Sequence, residues 1–454
     1  MLGTNINEST ARTNRRSRSA GAALALAAGL AIGTAYTETA AAQAFYELVL
    51  LADMQELRPS GIFGAGPDVV VSFKAIRENG VQVYESAGVW SGGDMFLAQN
   101  PVGGDGLFQD LVSIQYRPMA ARAQTIPGVD IIVKKTPAGK AMYWDTRGSD
   151  EGVLVDLDSA MGAASWPGGL NADGSLITGA VYGDLDGTGE PTRAAVRWVN
   201  GGLAELLPVP GDSQHSEAFG TSLGGTSVGC YKAIKEIGFP STSHRMIPSE
   251  GANGVIWRAD GSYRVIAPSI AGADSASIVL TTISDGGGIA LANNISTTRS
   301  NSKGGLIADP SGNDDWMEVN LDYTLLDAGD INGDGTIDLM DDHDSAALAL
   351  SADGSVVGGS VTHFGQTMAA LWIKDSGGAY QYHDVGTYLS HIGGTGQDGW
   401  TLLEVTGVSA DGSMITGFGV NPLGQTTGWY ASIPSPGAIS LLGLGGLIAS
   451  RRRR

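Results

Sequence analysis

Along this chain, short runs in which Val, Ile and Leu alternate with small or polar residues stop at glycine-containing turns and start again. The clearest phrase is Ala-Asp-Gly-Ser followed by such a run. It reads LNADGSLITGAV at 170–181, LSADGSVVGGSV at 350–361 and VSADGSMITGFG at 408–419. Looser forms are GGTSVGCYKA at 224–233 and ISDGGGIALANN at 283–294. Asp and Gly tolerate the positive φ that hairpin turns demand, so each phrase predicts a turn leading into a strand. The glycine later in the strand predicts a bulge or a close approach of two backbones.

A second phrase lies some 15–30 residues further on: an apolar run, a Trp, a glycine-containing turn and another strand. Its copies are SAGVWSGGDMFL at 86–97, GKAMYWDTRGSDEGVLVDL at 139–157, AAVRWVNGGLAELL at 194–207 and NGVIWRADGSYRVI at 253–266. GGLIADPSGNDDWMEV follows at 304–319, AALWIKDSGGAYQYHDV at 369–385 and the shortened TTGWYASI at 426–433. The anchors Trp90, Trp144, Trp198, Trp257, Trp372 and Trp429 are spaced by 54, 54, 59, 115 and 57 residues. Within the double interval the motif puts Ile307 at the Trp position, although Trp316 divides the gap more evenly. Either choice gives seven units.

Two hairpins per unit make four short strands, the content of one blade of a β-propeller. The predicted fold is therefore all-β, a propeller of about seven four-stranded blades, with a β-solenoid as the alternative. Seven such units close into a ring that leaves few unpaired edges. The last copy lacks a strand, and FYELVLL at 45–51 is expected to supply it. The periodic Trp residues are expected to be blade core rather than platforms for sugars.

Composition agrees with many tight turns. The 454 residues include 68 Gly and 17 Pro, and no Gly-X-Y period suggests collagen. Nine Trp, nine Phe and thirteen Tyr, with abundant aliphatics, exclude a disordered chain. The net charge of −20 sets nucleic acid aside, because phosphate binding needs Lys and Arg. A lone Cys230 forbids an intrachain disulfide and is read as a buried, inert thiol.

Both ends read as addresses. Arg12, Arg15, Arg16 and Arg18 precede the apolar run Ala20–Ile32, and Ala-Ala-Gln-Ala at 41–44 ends in small residues. This layout predicts a secretory signal peptide over 1–44, with an uncleaved anchor as the alternative. At the other end, Pro434-Ser435-Pro436 is followed by GAISLLGLGGLIAS at 437–450 and Arg451 to Arg454. That tripartite tail, 434–454, resembles the PEP-CTERM sorting signal of bacteria that build extracellular polysaccharide matrices, with Ser435 where the family has Glu. The resemblance implies transient retention in the inner membrane and processing by an exosortase-type enzyme. Removing the eight arginines and two glutamates of these ends from 27 basic and 47 acidic residues leaves 19 against 45. So acidic a body repels anionic polymers unless divalent cations bridge them.

The body, 45–433, resembles bacterial extracellular proteins with HAF repeats. The likeness rests on the ADGS phrases, on RAAVRW at 193–198 and on the stretch 399–433. It implies a secreted, propeller-like domain and brings no catalytic residues.

One motif points to a metal. In GDINGDGTIDLMDD at 329–342, Asp330, Asn332 and Asp334 take positions 1, 3 and 5 of a twelve-residue calcium loop. Gly335 makes the turn, Thr336 offers its carbonyl, Asp338 stands at position 9 and Asp341 at position 12. Alternate oxygens on a tight loop suit Ca2+. Asp at position 12 resembles a dockerin loop, though dockerins carry two and this chain shows one, so cohesin binding does not follow. Residues 338–350 are expected to form a short helix behind the loop. A shorter cluster, Asp184, Asp186 and Glu190, reads better as a hairpin tip than as a second ion site.

Catalytic motifs do not appear. His215, His244, His343, His363, His383 and His391 lack paired metal spacing, and no nucleophile elbow or phosphate loop occurs. The expected function is an exported, envelope- or matrix-associated binding or structural module, calcium-stabilised and non-enzymatic. Its partners would be extracellular polysaccharide or another envelope protein. The alternative is a propeller glycosidase or polysaccharide lyase working through carboxylates in the central channel.

Overall fold

In the computed structural model the described residues are 45–48, the strand residues between 54 and 157, and most of 164–434, with 184, 186–191, 212–214, 232–251, 267–277, 295–302, 322–342 and 364–365 among those outside. The signal segment 1–44 and the tail from 435 also lie outside the described residues. Twenty-eight strands pair antiparallel into seven separate four-stranded sheets.

The sheets follow the chain. The first is β2 (Met54–Ile62), β3 (Val69–Ile76), β4 (Val83–Ser91) and β5 (Asp94–Leu97), and the second is β6 (Met119–Ala120), β7 (Ile131–Lys135), β8 (Ala141–Asp145) and β9 (Val153–Asp156). The third is β10 (Ala164–Leu170), β11 (Leu176–Gly183), β12 (Thr192–Val199) and β13 (Ala204–Leu206). The fourth is β14 (Ser216–Thr221), β15 (Ser227–Tyr231), β16 (Asn253–Trp257) and β17 (Tyr263–Ile266). The fifth comprises β18 (Ile278–Ile283), β19 (Ile289–Asn294), β20 (Lys303–Ala308) and β21 (Met317–Val319). The sixth comprises β22 (His343–Leu350), β23 (Val356–His363), β24 (Gln366–Lys374) and β25 (Tyr380–Asp384). The seventh takes β26 (Thr401–Val408), β27 (Met414–Val420) and β28 (Thr426–Ser432) from the end of the chain and β1 (Phe45–Glu47) from its start.

First strands of successive sheets pack against one another, and β2 of the first sheet packs against β26, β27 and β28 of the last. The ring is closed. This is a seven-bladed β-propeller, and the solenoid alternative falls because no strand crosses from one sheet to the next. Phe45 pairs with Ala431 and Glu47 with Trp429, so the start of FYELVLL supplies the missing outer strand as expected. Thr427 Oγ1 donates to the Leu48 carbonyl and Thr406 Oγ1 to the Pro59 carbonyl, which fastens the seam twice.

The recurring phrase builds the turn from the first to the second strand of a blade. Asn171, Ser222, Ser284, Ser351 and Ser409 each bond through their N–H to the carbonyl that closes the turn. Their side-chain oxygens accept from the N–H of that same closing residue: Leu176, Thr226, Ile289, Val356 and Met414. Three residues after each anchor stands a glycine at positive φ, as at Gly354 (75°), a region closed to most side chains. Asp173, Asp353 and Asp411 fold back to accept the N–H two residues on, an Asx turn.

Trp198, Trp257, Ile307 and Trp372 each pair with the residue one past that closing residue: Ile177, Ser227, Ala290 and Val357. Ile307, not Trp316, is therefore the fifth anchor. The turn of the fourth blade is one residue shorter, and its Trp shifts with it, so the face is preserved. In the last blade Ala431 takes this place opposite Ile415, and Trp429 sits two residues earlier on the same face. Trp198, Trp257, Trp372 and Trp429 are fully buried among side chains of their own and the preceding blade. Trp257 also donates its indole N–H back to Pro208 of the blade before, at 2.6 Å. They are core, as expected. The side chains of Trp90 and Trp144 lie outside the described residues, and only their strand register is given.

The later glycine also has its reason. Gly179, Gly229, Gly359 and Gly417 pair with Pro167, Ala218, Ala347 and Val405, each the residue at which the first strand bulges. A Cβ on Gly359 would lie 1.8 Å from the Ala346 carbonyl oxygen, and one on Gly229 1.9 Å from that of Glu217. One expectation fails: 338–350 is no helix over its described part, because His343–Leu350 is β22. Its small and apolar residues are buried between blades, Ala347 and Leu350 against the fifth and Ala349 against the seventh. The helix among the described residues is α1 (Val385–His391), capped by Asp384 accepting from the Thr387 N–H at 2.7 Å.

The bulge contact gives a stability test. Gly359→Ala forces backbone apart and is expected to cost about 1–3 kcal/mol or more. Gly286→Ala, with open space around it, is expected to stay within about 0.5 kcal/mol of the parent. Urea unfolding of the two variants checks this, and equal midpoints would refute the packing account.

Candidate functional site

The topology makes the two ends of the ring unlike. One end carries the turns joining first to second and third to fourth strands, among them 171–175, 222–226, 284–288, 351–355 and 409–413. We call it the turn end. At the other, the loop end, lie the connections 98–118, 184–191, 232–252, 267–277 and 320–342.

The turn end is stitched round the axis. Leu223 N–H donates to Asp285, Asp285 N–H to Ala352 and Ala352 N–H to Ala410, each bond running from one blade's turn to the next. Further out, Asp314 of the fifth blade pairs with Arg258 and Arg264 of the fourth. Although its partial burial works the other way, bonds from the two arginines hold the Asp314 carboxyl below the usual range. Trp316 donates its indole N–H to the same carboxylate at 3.0 Å.

The strongest buried charge pair lies towards the loop end. Arg193 is the second residue of β12 in the third blade, and Glu217 sits on β14 of the fourth. Arg193 Nη2 is 2.7 Å from Glu217 Oε2, with both side chains nearly withdrawn from solvent. Glu217 is opposite Cys230 in the ladder, and His215 bridges to Arg193 by backbone. Burial pushes the Glu217 carboxyl up, against the pull of Arg193. Burial, then the Glu217 charge, also pushes the Cys230 thiol up, so it is a poor nucleophile, the inert thiol expected. His215 is held below its ordinary value by burial and by Arg193. Enclosed between two blades, Arg193 and Glu217 bolt the blades together. Sequence reading missed the pair, since 24 residues and a blade boundary separate its members.

Among the described residues no group of three or more His, Cys, Asp and Glu side chains is arranged to hold a metal. The sequence-predicted calcium ligands Asp330, Asn332, Asp334, Thr336, Asp338 and Asp341 lie outside the described residues. Their flanks are described: the segment joins β21 of the fifth blade to β22 of the sixth, on the side of the loop end. Asp184, Asp186 and Glu190 also lie outside, in the connection from β11 to β12, which pair as an antiparallel hairpin. No helix of the described residues is long and apolar enough to cross a membrane.

No family model matches the chain, and no curated protein does. Solved propellers resemble it at a distance. The β-propeller domain of the Trilobed protease from Pyrococcus furiosus, with its open velcro topology, is 9% identical over 83% of this chain and 94% of its own, TM-score 0.46. TolB from Acinetobacter baumannii is 11% identical over 72% of this chain and 63% of its own, TM-score 0.35. An acylaminoacyl peptidase from Pyrococcus horikoshii is 12% identical over 80% of this chain and 49% of its own, TM-score 0.43. These likenesses concern fold alone, and the propeller assignment rests on the seven sheets themselves.

The buried pair can be tested as a bolt. Arg193→Met leaves a carboxyl buried without its cation and is expected to cost about 3–5 kcal/mol at neutral pH. Adding Glu217→Leu is expected to recover most of that loss. Because burial raises the carboxyl, its ionisation opposes folding as pH rises, so Arg193→Met alone should regain melting temperature on acidification. A double variant no better than the single one would refute the bolt.

Proposed function

We propose that this chain is an exported β-propeller of the cell envelope or extracellular matrix that binds a ligand without turning it over. Calcium in the loop 330–341 would stabilise the loop end. The observation that carries this reading is the division of the ring. The like-built turns 171–175, 222–226, 284–288, 351–355 and 409–413 stand at one end, and the connections 98–118, 232–252, 267–277 and 320–342, the last with six calcium-type ligands in its sequence, join strands at the other. Rings with that division hold a rigid frame still while the loops do the recognising.

The chemistry favours a neutral or cation-bridged partner. With 45 acidic residues against 19 basic in the body, an anionic polysaccharide would need calcium between it and the loops. Signal peptide, sorting tail and exosortase-type processing belong to the same reading. They would deliver the ring outside the cytoplasm, where calcium is plentiful and a lone buried Cys230 is unharmed.

Two measurements test this. Asp334→Ala is expected to abolish the rise in melting temperature that calcium gives the parent, and an unchanged rise would remove the calcium assignment. A glycan array probed with residues 45–433, with calcium and again with chelator, is expected to show calcium-dependent retention without product. Released product would favour a glycosidase or lyase instead, and silence on both counts would favour a protein partner or self-assembly.

A further inference from the structure

The chain leaves the ring at the turn end. Ser432 pairs with Met414, the first residue after the turn 409–413, and Ile433 N–H donates to the Ser413 carbonyl at 2.7 Å. Only 434–436 separate Ile433 from the apolar segment 437–450, and three extended residues span about 10 Å. A bilayer holding that segment must therefore lie close to the turn end.

That end also carries exposed apolar side chains. Val199 and Leu203 stand at the outer turn of the third blade, Leu223 in the inner turn of the fourth, and Tyr263 and Met317 open the outer strands of the fourth and fifth. Leu203 and Met317 are 61% and 51% exposed. These blades lie across the ring from the seventh, where the chain departs. Away from that end the described residues expose Leu206 and Tyr46 on the edge strands of the third and seventh blades and Leu423 at the loop end.

We infer that the turn end is a membrane-facing surface, tethered at the seventh blade and resting on the bilayer through the apolar side chains of blades three to five. Two contacts on opposite sides of a disc set it flat, so the loop end faces away from the membrane. The inference rests on reading 437–450 as a membrane segment. The surface it takes is zwitterionic lipid. Asp173, Asp260, Asp353, Asp375 and Asp411 all lie in turns of this end, and they repel anionic headgroups.

The full chain, reconstituted in phosphatidylcholine vesicles, tests the inference. Leu203→Cys and Leu423→Cys variants each take one thiol-directed fluorophore, since Cys230 is buried. Lipid with a spin label on its headgroup serves as short-range quencher. The label at 203 is expected to lose most of its emission and the label at 423 to keep it. A blade strand of seven or eight residues spans about 25 Å and separates the two positions. Equal quenching, or stronger quenching at 423, would overturn the orientation while leaving the tail reading intact. A chain that fails to float with the vesicles overturns the tail reading, and the orientation with it. As a second check, Leu203→Glu with Met317→Glu is expected to relieve quenching of a label at Leu223→Cys without releasing the chain from vesicles. Unrelieved quenching would count against the apolar contact.

Discussion

The structure depends on how the first turn of each blade is closed. One Ser or Asn, bonded through N–H and side chain to the same residue, fixes the length of the turn. That length sets the register of the second strand, and hence which residue of the third strand meets it. The bulky anchor then falls on the face that packs against the preceding blade. In blades four to six the turn's second residue meanwhile hands a backbone hydrogen bond to the next turn. Each such bond contributes only about 0.5–1.5 kcal/mol. Their effect comes from repetition, because an error in one turn would misplace an anchor and break two links of the inner ring.

The fourth blade shows this rule at work. Its turn is a residue short, closing on Thr226, and its Trp257 faces Ser227 rather than Val228. The residue count changed and the packing face did not. A one-residue slip would ordinarily turn a strand's whole hydrophobic set outward. Here the slip is made at the turn, where it is absorbed before the ladder begins.

This explains what could be read in the sequence and what could not. The blade count, the closing strand at 45–47, the burial of the Trp residues and the need for Gly359 follow from short-range pattern. Ile307 followed from the motif as well, although spacing favoured Trp316. The anchor Ser222 lies outside the phrase at 224–233, because a single Ser two residues upstream of the glycines carries little pattern. The expected helix at 338–350 failed because Ala and Leu favour helices in isolation while the ladder with β23 decides the outcome. Arg193 and Glu217 could not be paired from sequence, since nothing local tells which blade faces meet.

The same constraint separates the two ends by kind. At the turn end the inner turns of blades four to six are each held three ways, by a closing bond, by a positive-φ glycine and by a bond to the neighbouring turn. Insertions in the linked turns of blades four to seven would break the inner ring, so those turns stay short. At the loop end the strands have already been aligned, and a connection such as 320–342 can grow without disturbing register, at a closure cost that rises only slowly with length. Recognition, which needs variable loops, therefore has one end available to it. Support, which needs fixed turns, has the other. With Ile433 leaving at the turn end, tethering the chain there keeps the variable loops free. Tethering at the opposite end would cover them.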